Sequence, residues 1–72
     1  MANTRLEQLG LNIKVERVRK RLSQEKLAEM VNISTHSIQK IESGNQNPSA
    51  MLLYDIAKVL NVPVEIMFKD IE

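Results

Sequence analysis

Seventy-two residues with 43% apolar content are expected to form one domain over residues 1–72 with a modest core, since about 60% of the unfolded surface is buried at this size. That core has to be aliphatic, because Tyr54 and Phe68 are the only aromatic residues, and the absence of Cys excludes disulfides and thiolate metal sites. The net charge of +1 hides a gradient: residues 1–21 set Arg5, Lys14, Arg17, Arg19, Lys20 and Arg21 against Glu7 and Glu16 for a local +4, residues 22–47 come to −1 and residues 48–72 to −2. A polyanion is drawn to the first third of the chain and repelled by the last.

The spacing predicts a first helix from about Thr4 to Lys20, with Leu6, Leu9, Ile13, Arg17 and Lys20 along one side. Gly10 weakens its middle by about 1 kcal/mol relative to Ala, so the first turns are expected to fray or break there. A second helix, about Gln24 to Val31, opens at the cap residue Ser23 and carries Leu27, Ala28, Met30 and Val31 as one stripe. Asn32 follows where a helix ends in a left-handed residue, Ile33 supplies a buried plug, and Ser34 caps a third helix, Thr35 to Glu42, turned inward by Ile38 and Ile41. So short a connection forces the two helices to cross at a wide angle. Beyond the turn-rich stretch 43–48, Ser49 caps a fourth helix with Leu52, Leu53, Ile56, Ala57 and Leu60 on its apolar side. Asn61 ends it, and Pro63 suits the first turn of a short fifth helix bearing Ile66 and Met67. With no alternating segment long enough for a strand, the expected class is all-α, with five helices and short connections. No stretch approaches the ~18 apolar residues of a membrane span, and a cytoplasmic location is expected.

At roughly 100° per residue, inward Ile38 and Ile41 leave the opposite side of the third helix to His36, Gln39, Lys40 and Ser43, with Thr35 at its N-terminal edge. Nothing apolar sits there, and these side chains suit the edges of bases: Gln39 an adenine, Lys40 a guanine, Thr35 a thymine methyl, and His36 either a donor or an acceptor. Ser23 and Gln24 lie where the free N–H groups of a helix start attract a phosphate, and Ser37 flanks the polar side as a second phosphate ligand. Such contacts position a module without reading sequence. His36 has neither a Cys nor a second His at a metal-ligand or triad spacing, so no metal, no cofactor and no enzyme activity are expected.

The run SQEKLAEMVNISTHSIQKIESG, residues 23–44 with the motif proper at about 24–43, resembles the helix-turn-helix of the phage repressor and Cro-like family, the XRE family. The positions that carry the likeness are Gln24, Ala28 at the helix crossing, Ile33, Ile38, Ile41 and Glu42-Ser43-Gly44; it extends from about Leu9 to Phe68 through Ile13, Arg17, Asn47-Pro48-Ser49 and the apolar residues after them. Departures are Asn32 and Asn61 where Gly is usual, Arg21 where Gly is common, and Pro63 in place of a Ser or Thr cap. The resemblance implies a five-helix lambda-repressor-like fold, base contacts from Thr35, His36 and Lys40 with Gln39 next, backbone contacts from Asn45, Gln46 and Asn47, and a structural ion pair between Arg17 and Glu42.

It also implies a transcriptional regulator, a repressor that binds double-stranded DNA, small like the Cro-like proteins and the controller proteins of restriction-modification systems. One such module buries only about 600 to 1,000 Å² on DNA, so a homodimer on a palindromic operator is expected, with the two third helices one DNA turn, about 34 Å, apart. Val64, Met67, Phe68 and Ile71, left over once the core has taken its share, are the expected dimer surface. The rival reading is an antitoxin-like or adaptor protein whose main partner is another polypeptide, with DNA binding secondary.

Overall fold

The computed structural model describes residues 4–72 as four α-helices, α1 (Thr4–Arg19), α2 (Gln24–Met30), α3 (Thr35–Glu42) and α4 (Ala50–Leu60), followed by a 3-10 turn over Val64–Phe68. Three serines set the starts. The hydroxyl oxygens of Ser23, Ser34 and Ser49, each on an extended residue, accept the N–H groups of Lys26, Ser37 and Leu52, which have no carbonyl partner inside their own helices. The ends are equally alike. Arg21, Asn32, Gly44 and Asn61 all have φ between 57° and 82°, and the residue after each donates its N–H back to the carbonyl five positions earlier. Leu22 reaches Arg17 O at 3.2 Å, Ile33 reaches Ala28 O at 3.0 Å, Asn45 reaches Lys40 O at 2.8 Å and Val62 reaches Ala57 O at 3.0 Å. All four α-helices therefore close with the same left-handed cap, three of them followed by an apolar residue that folds back onto the helix it has just left.

Ile13, Leu27, Ile38, Ile41, Ile56, Leu60 and Met67 are the largest fully buried side chains, an aliphatic core to which every helical element contributes. Between α2 and α3, Ala28 is buried at the crossing and Ile33 packs against the core from the turn. α1 packs against both α3 and the C-terminal 3-10 turn.

Two expectations need correction. Helix α1 runs unbroken through Gly10, which is buried against the end of α3: a Cβ there would lie 2.4 Å from Ile41 O and 2.5 Å from Glu42 O. The missing side chain is a packing requirement, and the contact it permits offsets its poor helix propensity. The expected fifth α-helix is instead a five-residue 3-10 turn with no side-chain cap. Pro63 stands at its start without an N–H or a hydroxyl to give, and so short a segment gains little from α-type bonds.

Candidate nucleic-acid interface

Eight residues form α3, and the isoleucines decide which way it faces. Ile38 and Ile41 are buried; His36, Gln39, Lys40 and Ser43 are exposed, and Thr35 is half-buried on the edge nearer Gln39. The outer surface of α3 is thus entirely polar, on a helix whose start is fixed by Ser34 and whose end is fixed by Gly44. Ser43 donates its hydroxyl to Lys40 O at 3.1 Å and accepts Asn45 Nδ2 at 2.9 Å, so Asn45 is tied to the end of α3. The side chains of Gln46, half-buried, and Asn47, exposed, make no hydrogen bond among the described residues. At the other end Ser37 accepts the Ser34 hydroxyl at 3.0 Å, which leaves its own hydroxyl proton available to a further acceptor. Ser23 is exposed at the start of α2.

Arg17 and Glu42 form a buried two-pronged pair: Arg17 Nε donates to Glu42 Oε2 at 2.7 Å and Nη2 to Oε1 at 3.1 Å, with the side chains 10% and 3% exposed. The arginine spends a third donor, Nη1, on Leu22 O at 2.7 Å. Gln24 adds its amide, which donates to Glu42 Oε1 at 3.0 Å. One carboxylate at the end of α3 therefore gathers the end of α1 and the start of α2, and the polar face of α3 is held by three elements.

Gln24 has a structural part as well as the expected one. One proton of its amide is held by Glu42, which leaves the second amide proton and the backbone N–H in the first turn of α2 for a phosphate. The charge excess of α1 is reduced in the same way, since Arg17 is neutralised by Glu42 and Arg19 lies 3.2 Å from Glu16, while Lys14, Lys20 and Arg21 remain on the surface.

The four residues expected at a dimer surface are not equivalent. Met67 is fully buried and belongs to the core, so it is no interface residue. Phe68 is exposed, and Val64 and Ile71 are half-buried. An α-helical period groups 64, 67, 68 and 71 on one side, whereas the 3-10 period of three residues per turn sends Met67 inward and turns Phe68 out. Nearby, Tyr54 of α4 is 52% exposed and lines a shallow groove with Val62, Pro63 and Val64.

Sequence reasoning also missed Asn12. It is buried on α1, donates Nδ2 to Met67 O and to Lys69 O, both at 2.8 Å, and accepts Gln8 Nε2 at 2.9 Å on Oδ1. The signal was faint, since at 100° per residue Asn12 flanks the apolar arc of Leu9 and Ile13, about 60° from Leu9, at the margin where an amide can be drawn under the fold and has to find partners.

A capped corner of two short helices with the second helix polar outside and apolar inside defines the helix-turn-helix class. A family profile described as helix-turn-helix, HTH_3, matches residues 13–67, and the chain belongs to that family. It is 42% identical over 64 residues to an uncharacterized transcriptional regulator in the ATPase CF(0) region of Rhodospirillum rubrum, covering 89% of this chain and 59% of the relative. It is 40% identical over 62 residues to an uncharacterized HTH-type transcriptional regulator of Sinorhizobium medicae, covering 86% of this chain and 45% of the relative. The chain therefore spans about half the length of these relatives. Among solved structures, the restriction-modification controller protein C.AhdI from Aeromonas hydrophila superposes with a TM-score of 0.88 at 26% identity, over 92% of this chain and 100% of that one. SinR, a master regulator for biofilm formation crystallised in complex with DNA, superposes at 0.77 with 33% identity, over 82% of this chain and 95% of that one. No helix among the described residues is long and apolar enough to cross a membrane.

Proposed function

We propose that this chain is a transcriptional regulator that binds double-stranded DNA by sequence, acting as a repressor and as a homodimer on a palindromic operator. The observation that carries the reading is the outer face of α3, where His36, Gln39 and Lys40 stand exposed on a helix held by the Arg17–Glu42–Gln24 network. Base readout needs hydrogen-bonding side chains at fixed positions, and a helix anchored at both ends provides them. Thr35, His36, Gln39 and Lys40 read bases. Ser23, Ser37, the Gln24 N–H and the loop Asn45-Gln46-Asn47 contact the phosphates on either side. SinR, whose structure contains DNA, supports the same use of the fold here.

The dimensions of the molecule support the dimeric reading. The molecule measures 28 × 24 × 21 Å, so two protomers side by side can bring two copies of α3 to the ~34 Å spacing of one DNA turn. Val64, Phe68 and Ile71, joined by Tyr54, form the pairing surface.

The test starts with selection of bound fragments from random or genomic DNA. Titrations on the selected operator and on random duplex then compare the natural chain with Gln39→Ala and Lys40→Ala. Each substitution removes one two-pronged base contact per protomer, worth about 1–3 kcal/mol, so affinity for a half-site duplex is expected to fall about 5- to 150-fold and that for the full palindrome by about the square of this factor, while the melting temperature stays put. Affinity should fall steeply with salt. Equal losses on operator and random DNA, or binding that salt does not weaken, overturn the assignment.

A further inference from the structure

We infer that Asn12 is the positioning residue of the pairing surface: its amide clamps the C-terminal segment to α1 and so determines whether Val64, Phe68 and Ile71 are presented in a form that a second copy can recognise. The inference rests on the homodimer reading above and adds the residue that controls it. The 3-10 turn and the residues after it have backbone bonds of their own, Ile66 N–H to Pro63 O, Lys69 N–H to Ile66 O and Ile71 N–H to Phe68 O, with Val64, Ile66 and Ile71 resting part-buried against the core. The turn spans five residues, begins at Pro63 without a side-chain cap, and gives way to Asp70 at φ 63°, a left-handed position that aspartate tolerates better than most residues and that ends the turn.

To that short local structure are added two distant anchors. One is Met67, fully buried in the core. The other is Asn12, whose two amide protons bond Met67 O and Lys69 O, 55 and 57 residues further along the chain, while Oδ1 takes Gln8 Nε2. The amide thereby ties down two carbonyls at the close of the turn, immediately before Asp70, which sets the direction of Ile71. Both of its protons and its carbonyl oxygen are in use, so nothing in this side chain is spare. Met67 fixes how deep the turn sits; Asn12 fixes its path beyond Met67, where Phe68 and Ile71 lie.

The consequence is a population effect. When a binding-competent form is only a fraction f of the molecules, affinity falls by that fraction. A homodimer needs the form in both protomers, so the loss goes as the square, and a fall of f to about one third weakens pairing about tenfold.

Two variants test this. Asn12→Ala removes the donors and leaves a void; Asn12→Asp keeps the volume and the acceptor for Gln8 but turns an oxygen toward the two carbonyls. Sedimentation equilibrium gives the dimer constant, amide hydrogen exchange at Phe68 to Ile71 gives the ordering of the segment, and a duplex carrying one half-site of the selected operator gives the affinity of α3. The expected result is dimerisation weakened about tenfold or more in both variants, faster exchange confined to the C-terminal segment, and half-site affinity within about twofold of the natural chain. Dimerisation unchanged while the natural chain pairs normally overturns the clamp and leaves the homodimer standing. A parallel loss of half-site affinity also overturns it, because Asn12 is then part of the general scaffold. A natural chain that stays monomeric at all concentrations, free and on operator, removes the homodimer reading and the clamp with it.

Discussion

The corner formed by α2 and α3 and the C-terminal 3-10 segment are held by different means. In the corner nearly every bond is short in sequence: Ser23 to Lys26, Ser34 to Ser37, Ile33 to Ala28, Asn45 to Lys40. The C-terminal segment has such bonds in Ile66 to Pro63, Lys69 to Ile66 and Ile71 to Phe68, but no side-chain cap; it relies more on distant partners, an asparagine more than fifty residues away, Met67 in the core, and Val64, Ile66 and Ile71 packed against it. The part of the molecule proposed to read bases is built to stay rigid when its surroundings change. The part proposed to pair depends on the rest of the fold being in place. An element with many local bonds opens only with the whole domain, while one fastened mainly by distant partners can open alone.

The contrast breaks first at Glu42, where the corner relies on a partner outside itself. Replacing Glu42 by Ala leaves the Arg17 guanidinium buried without its carboxylate and takes away the acceptor of Gln24. A loss of about 3–5 kcal/mol is expected, a large share of the total stability of a domain this size. Chemical denaturation measures it. Because burying both ions is itself costly, Arg17→Met combined with Glu42→Leu should recover most of that loss. A single substitution costing under about 1 kcal/mol would mean that the pair is solvated and the three elements are held by apolar packing alone.

Met67→Ala sharpens the comparison from the other side. A fully buried methionine cut to alanine costs about 2–5 kcal/mol where the rest of the structure cannot follow. If the C-terminal segment is an integral layer of the core, the urea midpoint falls accordingly and half-site DNA binding survives at temperatures where the protein is folded. If the segment detaches as a unit, the loss stays near the low end and the amides of residues 64–71 exchange fast while those of α3 remain protected. Either result ranks the segment against the corner on one scale.

How much of this was legible in the sequence follows the same division. α3 was expected over Thr35 to Glu42, where the structure has it, because a serine cap and a left-handed close are written within a few residues of each other. The end of α2 at Asn32 and of α4 at Asn61 were readable for the same reason. Gly10 was misread as a weak point: helix propensity sees only the chain itself, while the carbonyls of Ile41 and Glu42 that press on it arrive through the fold. Met67 was expected among the apolar residues left over once the core had taken its share, and only the packing of the 3-10 turn against α1 and α4 sends it inward. Within the candidate site, the polar face of α3 came from periodicity and the Arg17–Glu42 pair from the family resemblance, whereas the bond from Gln24 to Glu42, 18 residues away, was announced by nothing near Gln24 in sequence.

The smallest expected effect concerns the one helix end that lacks a suitable residue. Arg21 closes α1 at φ 57°, a conformation that asparagine at positions 32 and 61 and glycine at 44 adopt more readily. A left-handed arginine costs about 1–2 kcal/mol, and glycine returns about 0.5–1 kcal/mol of that through the greater freedom of the unfolded chain. Arg21→Gly should therefore stabilise the domain by about 0.5–1 kcal/mol, and Asn32→Gly by less, since asparagine already tolerates the geometry. The same variant reports on DNA. Were the exposed Arg21 side chain to neutralise a phosphate, its loss would flatten the salt dependence of binding by about one unit of slope on operator and random duplex alike. A stabilised protein with an unchanged slope makes Arg21 a strained cap with no part in binding. A destabilised one would show that its side chain contributes more to the fold than its backbone costs, and that the four left-handed closes are not equivalent after all.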